Sequence, residues 1–182
     1  MSIAEALLTA EEFARIDNDG PAELVRGRIE FMNPPRPLHG LVCGMAAHLL
    51  ISFVKVNDLG RVMSNDSGII TQRDPDTVRG ADIAFYSYLR VPKGPLPEGY
   101  LAVVPELVVE VLSPEDRWPR VLRKIGEYLE SGVLVVCILD PKHETAQVFR
   151  ADQPADIQSG EDVLEFPEAL PGFRVRVKEF FE

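Results

Sequence analysis

One stretch constrains this chain more than any other: Pro105-Glu106-Leu107-Val108-Val109-Glu110-Val111-Leu112, followed by a helical segment and then by Val133 to Leu139. Both runs are almost continuously aliphatic, the pattern of strands covered on both faces. The helix between them runs from about Trp118 to Glu130, entered through Ser113-Pro114-Glu115-Asp116 and stopped by Ser131-Gly132. Two strands joined through a helix make a βαβ unit, so these strands should be parallel neighbours at the centre of a sheet.

The rest of the chain fits around that unit. Thr9 and Glu12 have capping-box spacing and open a short helix to about Ile16, ending near Gly20. Glu23 to Met32 reads as a hairpin turning at Arg26-Gly27. Asn33-Pro34-Pro35-Arg36-Pro37 breaks the chain before a long helix from about Leu38 to Asn57, with apolar positions at helical spacing. Strands are expected near Arg61 to Ser64, Gly68 to Thr71, Gly80 to Tyr86, Thr145 to Arg150, Asp162 to Phe166 and Phe173 to Val177. The polar stretch Ala151 to Gly160 reads as a loop. The fold class expected is α/β: a mixed sheet flanked by helices on both faces, with an N-terminal hairpin and C-terminal strands, in a single domain over residues 1–182. No internal repeat is present.

Composition narrows the functional classes. A net charge of -10 disfavours coating nucleic acid by bulk charge, although a local basic cleft would not show in that total. Cys43 and Cys137 lie in apolar runs and read as buried free thiols, which suits a reducing cytoplasm. No signal-peptide pattern opens the chain, and the apolar runs, such as Val133 to Leu139, read as too short to span a bilayer, so no membrane partner is expected.

Strand alternation places Glu106, Val108, Glu110 and Leu112 on one face, so Glu110 is a carboxylate among aliphatic side chains. Such a group must meet a cation or shift its pKa. A Glu at a sheet end, reaching solvent or a structural Arg, is the alternative. Asp82 sits on another strand, sharing a face with Ala84 and Tyr86; a turn Asp at the start of a strand is its plainer reading. Two such carboxylates at neighbouring strand ends make an oxygen-rich site for Mg²⁺ or Mn²⁺. Lys124 lies on the border of the helical stripe Val121, Ile125, Tyr128 and Leu129, where it either snorkels or delivers its ammonium to the strand end. Asp, Glu and Lys together are the set used in metal-assisted phosphodiester hydrolysis. His39 and His48 are nine apart on the long helix and His143 stands in a turn; all three read as structural or surface groups.

The order of several short segments resembles the Uma-two family of restriction-endonuclease-like proteins, within the PD-(D/E)xK nuclease superfamily. They are Ala22-Glu23-Leu24-Val25-Arg26-Gly27, Pro34-Pro35 with His39-Gly40, Val78 to Phe85, Pro105 to Pro114, Lys124 with Tyr128-Leu129 and Gly132-Val133, and Leu139-Asp140-Pro141. The resemblance implies a restriction-endonuclease-like core and a metal-dependent DNA endonuclease. It makes Asp82 and Glu110 the motif's acidic pair, the backbone carbonyl of Val111 a further metal ligand, and Glu23 a completing one. The motif's lysine position, two after the Glu, holds Leu112, and Lys124 on the following helix takes its place. The motif's proline before the Asp is Ala81, and the aromatic before Glu23 is Ala22. DNA is the implied partner, with Arg36, Arg73, Arg79, Arg117 and Arg120 available for phosphates, and cutting two strands suggests a homodimer. A catalytically inactive nuclease fold serving binding or assembly, and a hydrolase of a small phosphate compound, are the competing readings.

Overall fold

The computed structural model describes residues 6–17 and 20–182; the end of the expected first helix before Gly20 falls partly outside the described residues. The Thr9–Glu12 capping box is formed, and the helix it starts, α1, is the short Ala10–Phe13. Strands β1 (Ala22–Val25) and β2 (Arg28–Phe31) form the hairpin, with Arg26 at φ 50° and Gly27 at φ 76° in the turn. Two consecutive left-handed residues are what a tight two-residue hairpin requires. A Cβ on Gly27 would also stand 2.6 Å from that of Leu7.

The long helix α2 spans Pro37–Val56, and β3 (Gly60–Gln72), β4 (Thr77–Ser87) and β5 (Leu107–Val111) follow as an antiparallel run. Helix α3 (Trp118–Ser131) crosses to β6 (Val135–Asp140), which lies parallel to β5, with Gly132 at φ 102° capping the helix. Strands β7 (Thr145–Phe149) and β8 (Asp156–Ser159) complete the sheet, ordered β2-β1-β4-β5-β6-β7-β8 with β3 also paired to β4. A separate pair, β9 (Val163–Phe166) and β10 (Leu170–Arg176), leads into a 3-10 turn at Val177–Phe180.

Both faces of the sheet are covered. Val42, Ala46, Leu50 and Val54 of α2 pack on Ile83, Phe85, Leu107, Val109 and Val111, with Phe166, Phe173 and Phe180 from the C-terminal pair closing that core. On the other face Ile125 and Tyr128 of α3 pack on Ala84, Val108, Val136 and Ile138. All six residues of β6 are buried, as a continuous aliphatic run demands.

Four expectations need correction. The two strands foreseen at Arg61 to Ser64 and Gly68 to Thr71 are one strand, β3, interrupted by a bulge at Asn65 (φ 67°) and Asp66 (φ 54°). Asn and Asp tolerate the left-handed region, so the pair bends the strand instead of ending it. The loop foreseen from Ala151 to Gly160 contains β8, an edge strand exposed at Asp156, Ile157 and Ser159 that pairs through its backbone and so carries no apolar alternation. Cys43 is half-buried, not buried, while Cys137 is fully buried; both are free thiols. Helix α2 is long and apolar enough, by length and composition, to cross a membrane; here one stripe of it packs on the sheet.

Candidate active site

Asp82 on β4 and Glu110 on β5 are brought together by the antiparallel ladder. Ile83 pairs with Val109 and Ala84 with Val108, so the next residues along the two strands are Asp82 and Glu110; Glu110 meets Lys124 and Tyr128 of α3, while Asp82 meets His39 of α2. The ladder between these strands stops there. In its place Asp82 Oδ2 accepts the Val111 N–H at 2.7 Å. The N–H and C=O of one strand residue point the same way, so the Val111 carbonyl also faces β4, beside Asp82.

Helix α3 supplies the cation. Lys124 Nζ lies 2.9 Å from Glu110 Oε1, 3.1 Å from Glu23 Oε1, and donates to the Gly80 carbonyl at 2.8 Å. Tyr128, one turn further along α3, donates its hydroxyl to Glu110 Oε1 at 2.7 Å. Behind Lys124 lies a buried polar layer. Glu23 accepts from Arg79 Nη1 at 2.7 Å and from the Gly80 N–H at 3.1 Å, and Arg79 Nε donates to Glu127 at 2.6 Å. Gly80 thus contributes both its N–H and its carbonyl. A Cβ there would stand 3.1 Å from that of Asp66, so the close approach of β4 to the β3 bulge favours glycine.

These groups line a cleft of about 300 Å³ together with Phe31, Pro34, Pro35, Val121 and Ile125. Arg117 and Arg120 line it as well, and Arg36, at the N-terminus of α2, pairs with the lining residue Glu115. Asp66 from the bulge and His39 from α2 also line it, with His39 Nε2 3.4 Å from Asp82 Oδ1.

The electrostatics separate the two acids. Burial alone would raise Asp82, but His39 and the Val111 N–H outweigh it and hold the carboxyl low. The hydrogen bond to Asp82 in turn raises His39. Glu110, its side chain 15 % exposed, is pushed up to about 8 by burial, with Lys124 opposing and Asp82 adding to the shift. Burial also works against Lys124, yet the carboxylates of Glu110 and Glu23 more than compensate and keep its ammonium charged. Glu23 is held low because Lys124 and Arg79 outweigh its burial.

The donor chemistry fits a hard divalent cation. Asp82, Glu110 and Val111 all line the cleft, and carboxylate and carbonyl oxygens are the ligand type Mg²⁺ and Mn²⁺ select. Both oxygens of Glu23 are engaged by Arg79, Gly80 and Lys124, and both of Glu110 by Lys124 and Tyr128, so either carboxylate has to release a partner to meet a cation.

A family profile described as "Putative restriction endonuclease", Uma2, matches residues 10–178. The chain belongs to the Uma2 family. Its fold is that of a "putative nuclease belonging to DUF820" from Anabaena variabilis ATCC 29413, whose crystal structure superposes with a TM-score of 0.79 at 20% identity over 96% of this chain and 97% of that one. No curated protein matches the chain.

In this Uma2 protein Asp82, Glu110, Lys124 and the Val111 backbone come together in one cleft, with Glu23 behind them. Of the arginines foreseen for phosphates, Arg117 and Arg120 line the cleft, and Arg36 pairs with Glu115, which lines it. Arg79 is buried in the ion-pair layer, and Arg73 pairs with Glu11 and Asp76. His39, read from the sequence as a structural or surface group, lies inside the cleft as the partner of Asp82. Tyr128, read only as part of a buried stripe, and Asp66 at the bulge were also missed as site residues.

A pH dependence follows from the raised pKa of Glu110. A carboxyl whose pKa is higher folded than unfolded stabilises the fold below the unfolded value, and that stabilisation is lost as pH rises through the folded value. The contribution of Glu110 therefore falls between its ordinary 4.5 and about 8. A cation that binds the ionised carboxylate should reverse the loss. The rise in melting temperature on adding Mg²⁺ should thus grow from about pH 6 to about pH 9, measured as paired melts in Mg²⁺ and EDTA. A rise independent of pH would show that Glu110 does not meet the cation.

Proposed function

We propose that this chain is a divalent-cation-dependent DNA endonuclease, one restriction-endonuclease-like domain over residues 1–182 acting in the cytoplasm as a homodimer. The observation that carries the reading is the placement of Lys124: fourteen residues beyond Glu110 in sequence, its ammonium comes within 2.9 Å of that carboxylate, inside the cleft that Asp82 also lines.

In this reading Asp82, Glu110 and the Val111 carbonyl hold Mg²⁺ or Mn²⁺. When bound, the cation supplies Lewis acidity at a phosphate oxygen and a lowered pKa for water. The remaining work falls to the protein. Lys124 stabilises charge developing on the phosphate and orients the attacking water. Tyr128 fixes the rotamer of Glu110 through its hydroxyl, and His39 fixes that of Asp82. Glu23 is a positioning residue that holds Lys124 against Gly80. Arg117 and Arg120, which line the cleft of a chain of net charge -10, are the groups available to engage phosphates there.

Lys124→Gln separates chemistry from metal binding. Loss of one such stabilising group costs about 100-fold or more in rate. The variant should cut plasmid at least that much more slowly, while Mg²⁺ still raises its melting temperature. Unchanged cleavage would remove Lys124 from the mechanism. The acidic net charge favours a second reading, an inactive fold used for binding or assembly. That reading predicts DNA or partner binding without cleavage in any divalent cation.

A further inference from the structure

His39 and Cys43 are four residues apart on α2, so their side chains stand one above the other on the same helix face. That face meets Asp82 on β4. His39 Nε2 lies 3.4 Å from Asp82 Oδ1, and Cys43 Sγ lies 3.4 Å from His39 Nδ1 and 3.9 Å from Nε2. One nitrogen, one sulfur and one oxygen all fall within 4.8 Å of one another, and all three residues are half-buried. A tetrahedral Zn²⁺ with bonds of about 2.0–2.3 Å sets its ligand atoms about 3.3–3.8 Å apart, so the side chains need only small rotations to become its shell.

We propose that His39, Cys43 and Asp82 form a site for a borderline-soft divalent cation, with Zn²⁺ as its preferred ion, on the α2 side of Asp82. The donor set selects the metal. Imidazole and thiolate suit Zn²⁺ and Co²⁺, whereas Mg²⁺ takes oxygen ligands in near-octahedral geometry. Three protein ligands leave a fourth position for water or a phosphate oxygen, as in open zinc sites. Binding converts the Cys43 thiol to the thiolate, and its proton leaves to solvent together with that of His39 where the ring is protonated. Asp82 would serve this cation through Oδ1 while Oδ2 keeps its bond to the Val111 N–H. Zn²⁺ here and Mg²⁺ at the proposed catalytic position therefore compete for one carboxylate; this last consequence rests on the function proposed above.

Cobalt is the probe, because a sulfur-bound Co²⁺ absorbs in the near ultraviolet and a tetrahedral one absorbs strongly in the visible. Metal-stripped protein titrated with Co²⁺ should develop both bands, saturating at one ion per chain, and Zn²⁺ should bleach them. Cys43→Ser should lose the sulfur band, with Cys43→Ala as the second variant should the first fail to fold. His39→Ala should weaken Co²⁺ binding at least about tenfold. Melts in EDTA establish that each variant is folded, and the rise in melting temperature on adding Zn²⁺ should vanish in both cysteine variants. A wild-type spectrum without a sulfur band, or a band that survives in Cys43→Ser, overturns the site. These readouts involve no DNA, so a silent spectrum leaves the endonuclease reading standing, and an inert protein on plasmid leaves the zinc site standing.

Discussion

Glu110→Gln should reduce cation-dependent DNA cleavage by about 100-fold or more, yet leave the melting temperature in EDTA unchanged or higher. The side chain keeps its shape and keeps an acceptor for the Tyr128 hydroxyl, which approaches Oε1 at 2.7 Å. What it loses is a charge that burial disfavours strongly enough to push the carboxyl up to about 8. Lys124 is not stranded by the change, because Glu23 at 3.1 Å and the Gly80 carbonyl at 2.8 Å remain. The cation-induced rise in melting temperature should shrink in parallel with activity. A large fall in the EDTA melting temperature would make Glu110 a scaffold residue whose ion pair with Lys124 holds the fold, and the catalytic assignment would lose its central member.

Arg79→Met should have the opposite profile, with its largest effect on stability. The guanidinium is 4 % exposed and joins Glu23, 2 % exposed, to Glu127. Removing one partner of a buried ionic network leaves the others uncompensated, at a cost of about 3–5 kcal/mol. For a chain of this size that corresponds to a fall of about 6–20 °C in melting temperature. Activity should fall as well, because Glu23 loses a partner that fixes it against Gly80 and Lys124. Arg79→Lys should not rescue fully: an ammonium cannot bridge two carboxylates with the planar fork of a guanidinium. Melting within about 2 °C of wild type would mean that Glu23 takes up a proton or reaches solvent without Arg79.

How much of this was readable beforehand depends on the range of the interactions. The βαβ unit, the Arg26-Gly27 hairpin and the helix borne by Val121, Ile125 and Tyr128 carry their signals in local periodicity and turn chemistry, and all three are present. The bulge in β3 was not readable, because Asn65-Asp66 has the composition of a turn and only pairing with β4 turns it into a kink within a strand. Strand β8 was hidden for a related reason: an edge strand held by backbone bonds to β7 needs no apolar face.

The site divides the same way. Glu110 stands out because a charge in an aliphatic run conflicts with its surroundings, and Lys124 because it flanks an apolar stripe. The link between them depends on how α3 lies across β5, which no local pattern encodes. His39 carried a usable signal, its four-residue spacing to Cys43 on one helix face, whereas the nine-residue spacing to His48 points nowhere. Its pairing with Asp82 arises only once α2 is packed over β4. Glu23 shows what a motif alignment leaves out: its ties to Arg79, the Gly80 N–H and Lys124 depend on how β1, β4 and α3 meet.

The central claim is that Asp82 and Glu110 serve a cation that hydrolyses DNA, and one assay meets it most directly. Supercoiled plasmid is incubated with the wild-type chain and with Asp82→Asn, in Mg²⁺, in Mn²⁺ and in EDTA. Nicked and linear products should form with the wild type in the divalent cations only, and the variant should form them at least about 100-fold more slowly. Cleavage that persists in EDTA or in Asp82→Asn, or a folded wild type that leaves plasmid intact in both cations, would contradict the account.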